Sequence, residues 1–137
     1  MDKQKVLIIG ASGQLGNALV EILSPSFQVF GTYLQAKQEG LVQLNLTDQE
    51  KVNELLSDLK PDIVINTVAM THVDKCEDEP ELAHNINVFG NKNLATACQN
   101  IHAKQVYIST YYVFDGTKRY YTETDLPSPL NIYAETK

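Results

Sequence analysis

Tryptophan is absent from the 137 residues, cysteine occurs only twice, and 11 basic residues are outnumbered by 17 acidic ones. Cys76 and Cys98 are far apart and belong to no CxxC motif or Cys/His cluster, so neither a disulfide framework nor a metal site is expected. The net charge of −6 argues against nucleic acid or an anionic membrane as a partner, because both require a basic face.

Long apolar runs are also missing. No stretch approaches the roughly 20 residues of a membrane-spanning helix, and no signal-peptide pattern follows Met1. We therefore expect a cytoplasmic protein with no membrane partner. The 43% hydrophobic and 20% charged content is that of an ordinary globular protein, and the length favours one domain.

Short apolar runs alternate with helical patterns along the whole chain. Because each strand–helix–strand crossover returns the chain to the same edge, this alternation predicts an α/β fold. The expected form is a Rossmann-type, doubly wound parallel sheet with strand order 3-2-1-4-5. The predicted strands are 6–9, 27–33, 41–46, 62–66 and 106–109, followed by a long functional loop over 111–130. The predicted helices are 15–23, one capped by Thr47 and closed before Pro61, and one that starts at Pro80 and carries Ala83, Ile86, Phe89, Leu94 and Ala97 on one face.

A glycine motif stands between the first strand and the first helix. It has GxxGxxG spacing, with Gly10, Gly13 and Gly16 as the three glycines and Ser12, Gln14 and Leu15 between them. Glycines there let the backbone turn tightly and approach a pyrophosphate at the helix N-terminus. The alternative is a glycine-rich turn without a ligand, which the position between strand and helix disfavours.

The end of the second predicted strand bears on the choice of cofactor. A carboxylate at that place normally binds the ribose 2′-hydroxyl and would repel a 2′-phosphate. Here Lys37 is the first charged residue and Glu39 the first acid, which favours NADP(H) and leaves NAD(H) as the alternative. Lys37 could equally be a solvated loop residue.

Tyr133 and Lys137 form a YxxxK pair, one helical turn apart. An ammonium beside a phenol favours the phenolate, which makes the tyrosine a usable proton donor and acceptor. Ser109 and Thr110 supply hydroxyls that could bind a carbonyl oxygen, or could merely satisfy backbone groups at a strand end. The glycine loop, residues 69–71 and residues 109–110 all follow predicted strands, and ligands of open α/β sheets bind at those carboxyl ends.

Several stretches together resemble the extended short-chain dehydrogenase/reductase family, and within it the dTDP-4-dehydrorhamnose reductase branch. They are GASGQLG (10–16), NTVAMTHVDKCEDEP (66–80), NINVFGNKNLA (85–95), ISTYYVFDG (108–116) and YTETDLPSPLNIYAETK (121–137). The resemblance implies an NADPH-dependent reductase of a nucleotide-linked 4-keto sugar, in which Thr110, Tyr133 and Lys137 are catalytic. It also implies a proton-relay role for Asn87. The resemblance further implies three groups of cofactor-binding residues besides Tyr133 and Lys137. They are Gly10, Ser12, Gly13, Gln14, Leu15 and Gly16 at the pyrophosphate, Asn45 and Leu46 at the adenine, and Ala69, Met70 and Thr71 at the ribose and nicotinamide.

Two positions depart from the family pattern. Asn45 stands where an Asp is usual, so the adenine contact there is weaker or uncharged. Thr110 and Tyr111 are the expected substrate contacts, but Tyr111 replaces the Asp of STDY, which puts the sugar contact at Tyr111 in doubt. Extended members are also roughly twice as long. We therefore expect residues 1–137 to be an NADP(H)-binding Rossmann domain truncated after YxxxK, without the C-terminal substrate domain. Such a piece is expected to bind the cofactor and to turn over poorly.

Two other functions remain open. One is a sugar-nucleotide epimerase of the same superfamily, which would retain its cofactor. The other is a non-catalytic, NADP-binding regulatory subunit resembling the methionine adenosyltransferase β subunit, which shares the VFDG stretch at 113–116. For the reductase, the expected partner is a small nucleotide-sugar substrate; a homodimer is left open.

Overall fold

The computed structural model describes residues 3–137; the expectation about a signal peptide at Met1 concerns residues that lie outside this range. Five strands form one parallel sheet in the order β3-β2-β1-β4-β5, which confirms the predicted fold class and strand order. The strands are β1 (Lys5–Ile9), β2 (Gln28–Tyr33), β3 (Val42–Gln43), β4 (Ile63–Asn66) and β5 (Lys104–Tyr107). The helices are α1 (Gln14–Leu23), α2 (Gln49–Leu59), α3 (Val73–Asp78), α4 (Pro80–Ala83), α5 (Asn91–Asn100) and α6 (Ile132–Thr136), with a π-helical segment (His84–Gly90) between α4 and α5.

Strand β1 lies at the centre of the sheet, and its residues 6–9 are almost completely buried. Alternate side chains of β1 therefore enter two separate cores. Leu7 and Ile9 pack with residues of α2 and α5 on one face, whereas Val6 and Ile8 pack against α1 on the other. Full burial of one such side chain contributes about 1.5–3 kcal/mol, so helices on both faces are needed to stabilise this strand.

Helix α2 begins one residue later than predicted. Asp48, not Thr47, is its N-cap, and the Asp48 carboxylate accepts a hydrogen bond from the Lys51 N–H at 3.2 Å. The Thr47 hydroxyl instead donates to the side-chain oxygen of Asn45 at 2.9 Å. A carboxylate at the cap also interacts favourably with the helix dipole, which explains the difference.

The long helix from Pro80 is present, but the predicted apolar face was wrong at Phe89. The π-helical segment adds residues to the turn, so Phe89 is rotated outward and is 52% exposed. Gly90 takes the inward position, where an added Cβ would lie 3.0 Å from the Leu46 Cβ. The small residue allows the helix to approach the segment that follows β3.

Strand β5 is shifted by two residues from the prediction of 106–109. It covers Lys104–Tyr107, so Ser109 and Thr110 lie beyond its end. The predicted third strand, 41–46, is reduced to Val42–Gln43. In addition, helix α3 was not predicted. Residues 111–130 form a loop as expected, with one short 3-10 turn at Tyr111–Val113.

Within the described residues, no helix is long and apolar enough to cross a membrane, and no group of three potential metal ligands occurs. Both cysteines are buried and free. Burial raises the pKa of Cys98 to about 11, as is usual for a thiol that packs as a small apolar side chain.

Candidate functional site

A cleft of about 400 Å³ opens at the carboxyl ends of β1, β2 and β4. This is the edge at which ligands of open α/β sheets bind, on either side of the point where the strand order reverses. Four segments line it, each at the carboxyl end of a strand or just after it. They supply Gly10 and Ser12; Thr32, Tyr33, Leu34 and Gln35; Leu44, Asn45, Leu46 and Thr47; and Thr67, Val68 and Ala69, with Ile86 from the π-helical segment.

The floor of the cleft is a tight turn that requires glycine. Gly10 has φ +81°, and an added Cβ would lie 2.8 Å from a methyl of Val68. Thr32 is buried and holds this turn from β2, because its hydroxyl accepts from the Gly10 N–H at 3.1 Å and its carbonyl from the Ala11 N–H at 2.8 Å. A Cβ on Gly16 would overlap the Gly10 carbonyl.

Helix α1 presents free backbone N–H groups beside this turn. Its N-cap is Gly13, which provides no side-chain cap, and no acidic residue occupies the first turn. Unpaired N–H groups and the positive end of the helix dipole favour an anion such as a pyrophosphate. The turn and the uncapped helix together fit a dinucleotide.

The structure brings together only part of the predicted cofactor set. Gly10, Ser12, Asn45, Leu46 and Ala69 line the cleft. The other predicted residues lie around it: Gly13, Gln14 and Leu15 are exposed on the first turn of α1, Gly16 is buried beneath it, Met70 is nearly buried, and Thr71 is exposed.

Sequence reasoning missed the contribution of β2. Thr32 and the three residues after it line the cleft, although the prediction at the end of β2 rested only on charged side chains. Their position at a carboxyl end was the available signal. None of the described residues that line the cleft is acidic or basic, and Lys37 and Glu39 are not among them. The cleft therefore contains no carboxylate that would repel a 2′-phosphate.

Asn87 connects two of the predicted site segments. Its side-chain oxygen accepts from the Met70 N–H at 2.8 Å, and its amide donates to the Met70 carbonyl at 3.1 Å and to the Thr136 hydroxyl at 2.9 Å. The Thr136 hydroxyl donates in turn to the Tyr133 carbonyl at 3.1 Å. This buried network, here called the Asn87 clamp, fixes the loop after β4 against α6.

Tyr133 and Lys137 both lie near the end of β5. Tyr133 is 8% exposed, packs with Met70 and meets the Tyr112 ring edge-on at 5.8 Å between centroids. The Lys137 ammonium donates to the Ile108 carbonyl at 2.7 Å and lies 4.5 Å from the centre of the Tyr107 ring. Burial lowers the pKa of Lys137, because a low-dielectric surrounding disfavours the charged form.

Thr110 caps the short 3-10 turn, where its hydroxyl oxygen accepts from the Tyr112 N–H at 3.3 Å. Among the residues that the structure describes, its own O–H has no acceptor. Tyr111 is 79% exposed and stacks on Tyr112 with 4.9 Å between ring centres. A second pocket of about 520 Å³ lies here, lined by Tyr111, Tyr112, Phe114, Asp115, Gly116, Tyr121, Leu130 and Asn131.

One carboxylate organises the loop beside this second pocket. Asp115 accepts from the Thr117 N–H at 3.0 Å, from the Thr117 hydroxyl at 2.8 Å and from the Tyr121 hydroxyl at 2.8 Å. These hydrogen bonds, led by the Thr117 N–H, lower the pKa of Asp115 to about 2. Phe114 and Tyr121 stack at 4.4 Å, so the loop has a defined aromatic wall.

Residues 4–137 match the family model described as the RmlD substrate binding domain. The chain belongs to the RmlD family. The methionine adenosyltransferase 2 subunit beta of Rattus norvegicus is 39% identical over 135 residues, which are 98% of this chain and 40% of that protein.

Two solved structures show the same RmlD-type architecture. A hypothetical dTDP-4-dehydrorhamnose reductase from Sulfolobus tokodaii gives a TM-score of 0.91 at 41% identity and covers 97% of this chain. The dTDP-4-dehydrorhamnose reductase from Bacillus anthracis, in complex with NADP, gives a TM-score of 0.89 at 38% identity and covers 99% of this chain. The chain spans 49% and 46% of these two structures, so it corresponds to less than half of each relative.

Proposed function

We propose that this chain is the cofactor-binding part of an NADP(H)-dependent reductase that acts on a nucleotide-linked 4-keto sugar of the dTDP-4-dehydrorhamnose type. The observation that carries the proposal is the glycine turn beneath the uncapped N-terminus of α1, at the floor of a cleft without carboxylates. The NADP-bound relative from Bacillus anthracis supports the choice of cofactor. NADP(H) is preferred over NAD(H) because no acid in the cleft would repel a 2′-phosphate.

When bound, the nicotinamide would supply the hydride that reduces the keto carbon. Tyr133, on the short helix α6, would donate its hydroxyl proton to the resulting alkoxide. The Lys137 ammonium would favour the phenolate left behind, since opposite charges attract most strongly in a partly buried site. Thr110 would donate its free O–H to the keto oxygen while the Tyr112 N–H holds its oxygen in place.

Calorimetric titration with NADPH and, separately, NADH tests the cofactor half of this proposal. Ser12 lies in the cleft just before α1, so Ser12→Asp places a negative charge where the pyrophosphate would bind. We expect tighter binding of NADPH than of NADH, and at least a tenfold loss of NADPH affinity in Ser12→Asp. Ser26→Asp is the matched control, because it adds the same charge at the opposite end of α1. A folded chain that binds neither nucleotide would contradict the proposal.

The second candidate is a regulatory subunit. The 39% identity to the methionine adenosyltransferase 2 subunit beta and the loss of the acid at Tyr111 favour it. Both candidates predict dinucleotide binding, so the test is catalytic. Consumption of NADPH with dTDP-4-dehydrorhamnose, abolished by Tyr133→Phe, would support the reductase. A changed rate of a methionine adenosyltransferase on addition of this chain would support the subunit.

The third alternative is the sugar-nucleotide epimerase. A dinucleotide retained through purification would favour the epimerase.

A further inference from the structure

Two consecutive residues at the end of β5 contact the same ammonium group. The Ile108 carbonyl accepts from Lys137 Nζ at 2.7 Å, and the Tyr107 ring centre lies 4.5 Å from the same nitrogen. A lysine side chain has a long, flexible stem, so one hydrogen bond leaves the ammonium free to pivot. The aromatic face supplies a second, independent attraction within the range of a cation–π contact.

The register of the sheet explains why Tyr107 is available for this contact. Tyr107 is the last residue of β5 and pairs with Asn66, the last residue of β4, so it stands at the carboxyl edge. Gln105 lies two residues earlier on the same side of β5 and donates to Asn91 of α5 at 2.8 Å. Tyr107 therefore points toward the face that the α5 helix covers, where it is half-buried.

Tyr107 lies beside the Lys137 ammonium and close enough to Tyr133 to be influenced by its charge. Burial, together with the nearby Tyr133, raises the pKa of Tyr107. A raised pKa favours the neutral form of the Tyr107 phenol. Its ring can hold the ammonium without competing with Tyr133 for the role of phenolate.

We propose that Tyr107 is a positioning residue whose ring face, together with the Ile108 carbonyl, holds the Lys137 ammonium at the end of β5. The inference rests on the proposed function, because it concerns how the lysine of the YxxxK pair is oriented. It assigns no chemistry to the Tyr107 hydroxyl. The ring alone is required, so phenylalanine should replace tyrosine and an aliphatic residue should not.

The first experiment observes the contact directly and needs no cofactor. The method is ¹H–¹³C NMR of the chain carrying ¹³C-labelled lysine. The ε-methylene signal of Lys137 is assigned as the one that disappears in Lys137→Met. The ammonium lies over the Tyr107 ring, and the ε-methylene is bonded to that nitrogen. We therefore expect its proton signal upfield of the other lysines in the wild type and in Tyr107→Phe. In Tyr107→Leu it should return to the ordinary position. An ordinary position in the wild type would overturn the proposal.

The second experiment measures the consequence for the cofactor. We expect Tyr107→Leu to weaken NADPH binding about three- to tenfold, as loss of a cation–π contact predicts, and Tyr107→Phe to restore it. In a Lys137→Met background, Tyr107→Leu should have no further effect. Equal losses in the two tyrosine variants would overturn the ring-face role, as would an undiminished effect without Lys137. If the wild type bound no NADPH, the proposed function would fail, and the spectrum alone would decide the position of Lys137.

Discussion

Residues 5–100 and residues 104–137 are held in place by different kinds of contact. In the first region, parallel strands exchange backbone hydrogen bonds and two apolar cores are buried against helices on both faces. In the second, one short edge strand leads into a loop stabilised by side-chain hydrogen bonds to Asp115 and by stacked rings. Large apolar side chains there stay exposed, including Leu126 at 87% and Leu130 at 73%.

The difference has a consequence for the candidate site. The glycine cleft belongs entirely to the first region, whereas Thr110, Tyr133 and Lys137 belong to the second. The two cores on either side of the sheet therefore support the cofactor cleft, whereas the YxxxK helix packs through Tyr133 against a smaller core of Met70, Cys76 and Ala83. The Asn87 clamp joins the two, so its loss should affect the second region more than the first.

The largest expected effect comes from Gly16 in the first region. In Gly16→Val, the new Cβ would overlap the Gly10 carbonyl and lie 2.7 Å from the Ala11 Cα, and neither backbone atom can move freely. We expect a loss of about 4 kcal/mol or more in the free energy of unfolding, measured by urea denaturation. Gly13→Ala is the control. Its Cβ would lie 3.3 Å from the Gly10 oxygen at an ordinary φ of −79°, so the loss should stay below about 1 kcal/mol. Similar stability of the two variants would contradict the close approach.

A pair of leucines compares the two regions directly. Leu94 is fully buried between α5 and the sheet, and Leu94→Ala should cost about 2–5 kcal/mol of unfolding free energy. Leu130 in the second region is 73% exposed, so Leu130→Ala should change it by less than about 0.5 kcal/mol. Equal costs in denaturation would show that Leu130 is covered in solution.

The first region could be predicted from the sequence because its structure follows apolar periodicity. Residues 6–9 form a continuous apolar run, which is typical of a parallel strand buried on both faces, and the sheet order follows from alternation with helices. The exceptions have local causes. Thr47 and Asp48 are both good caps, and the apolar spacing of α2 does not show that the Asp48 carboxylate, which suits the helix dipole, takes the position. Phe89 was assigned inward because ordinary helical spacing does not reveal a π-helical turn.

The second region was less accessible to sequence reasoning. The end of β5 is set by pairing with β4, a long-range contact that an apolar run at 106–109 does not encode. Likewise, the contact between Tyr107 and Lys137 joins residues 30 positions apart, and no spacing rule connects them. Spacing singled out Tyr133 and Lys137, and the resemblance supplied their catalytic roles, whereas the geometry that orients them depends on tertiary structure.

Breaking the Asn87 clamp should have an intermediate effect. Asn87→Ala leaves the Met70 N–H buried without a partner, while the Met70 carbonyl keeps only the Cys76 thiol at 3.5 Å, which should cost about 1–3 kcal/mol of unfolding free energy. Asn100→Ala, at the exposed end of α5, is the control and should be nearly neutral. Relative to the wild type, Asn87→Ala should accelerate amide hydrogen exchange more in α6 than in β1. Equal acceleration in both would indicate general unfolding instead of a lost clamp.

The smallest effect should be confined to the loop around Asp115 and should depend on pH. The pKa of Asp115 lies near 2 in the folded protein, below its ordinary value of 3.8, because the carboxylate accepts hydrogen bonds from Thr117 and Tyr121. A lowered pKa means that the contribution is fully present above about pH 4 and is lost as the pH falls toward 2.

Between pH 5 and 2.5, the loop amides near Thr117 should therefore lose protection while those of β1 keep it, as measured by hydrogen exchange. Asp115→Asn should remove the pH dependence, and Asp58→Asn on the exposed side of α2 should not. If the step persists in Asp115→Asn, it belongs to Asp125, whose pKa is also lowered, by hydrogen bonds from the Lys118 ammonium and the Thr122 N–H. In that case the Lys118–Asp125 pair would account for the pH-dependent protection of the loop. Asp115 would then not be the charge that stabilises the stacked rings of Phe114 and Tyr121.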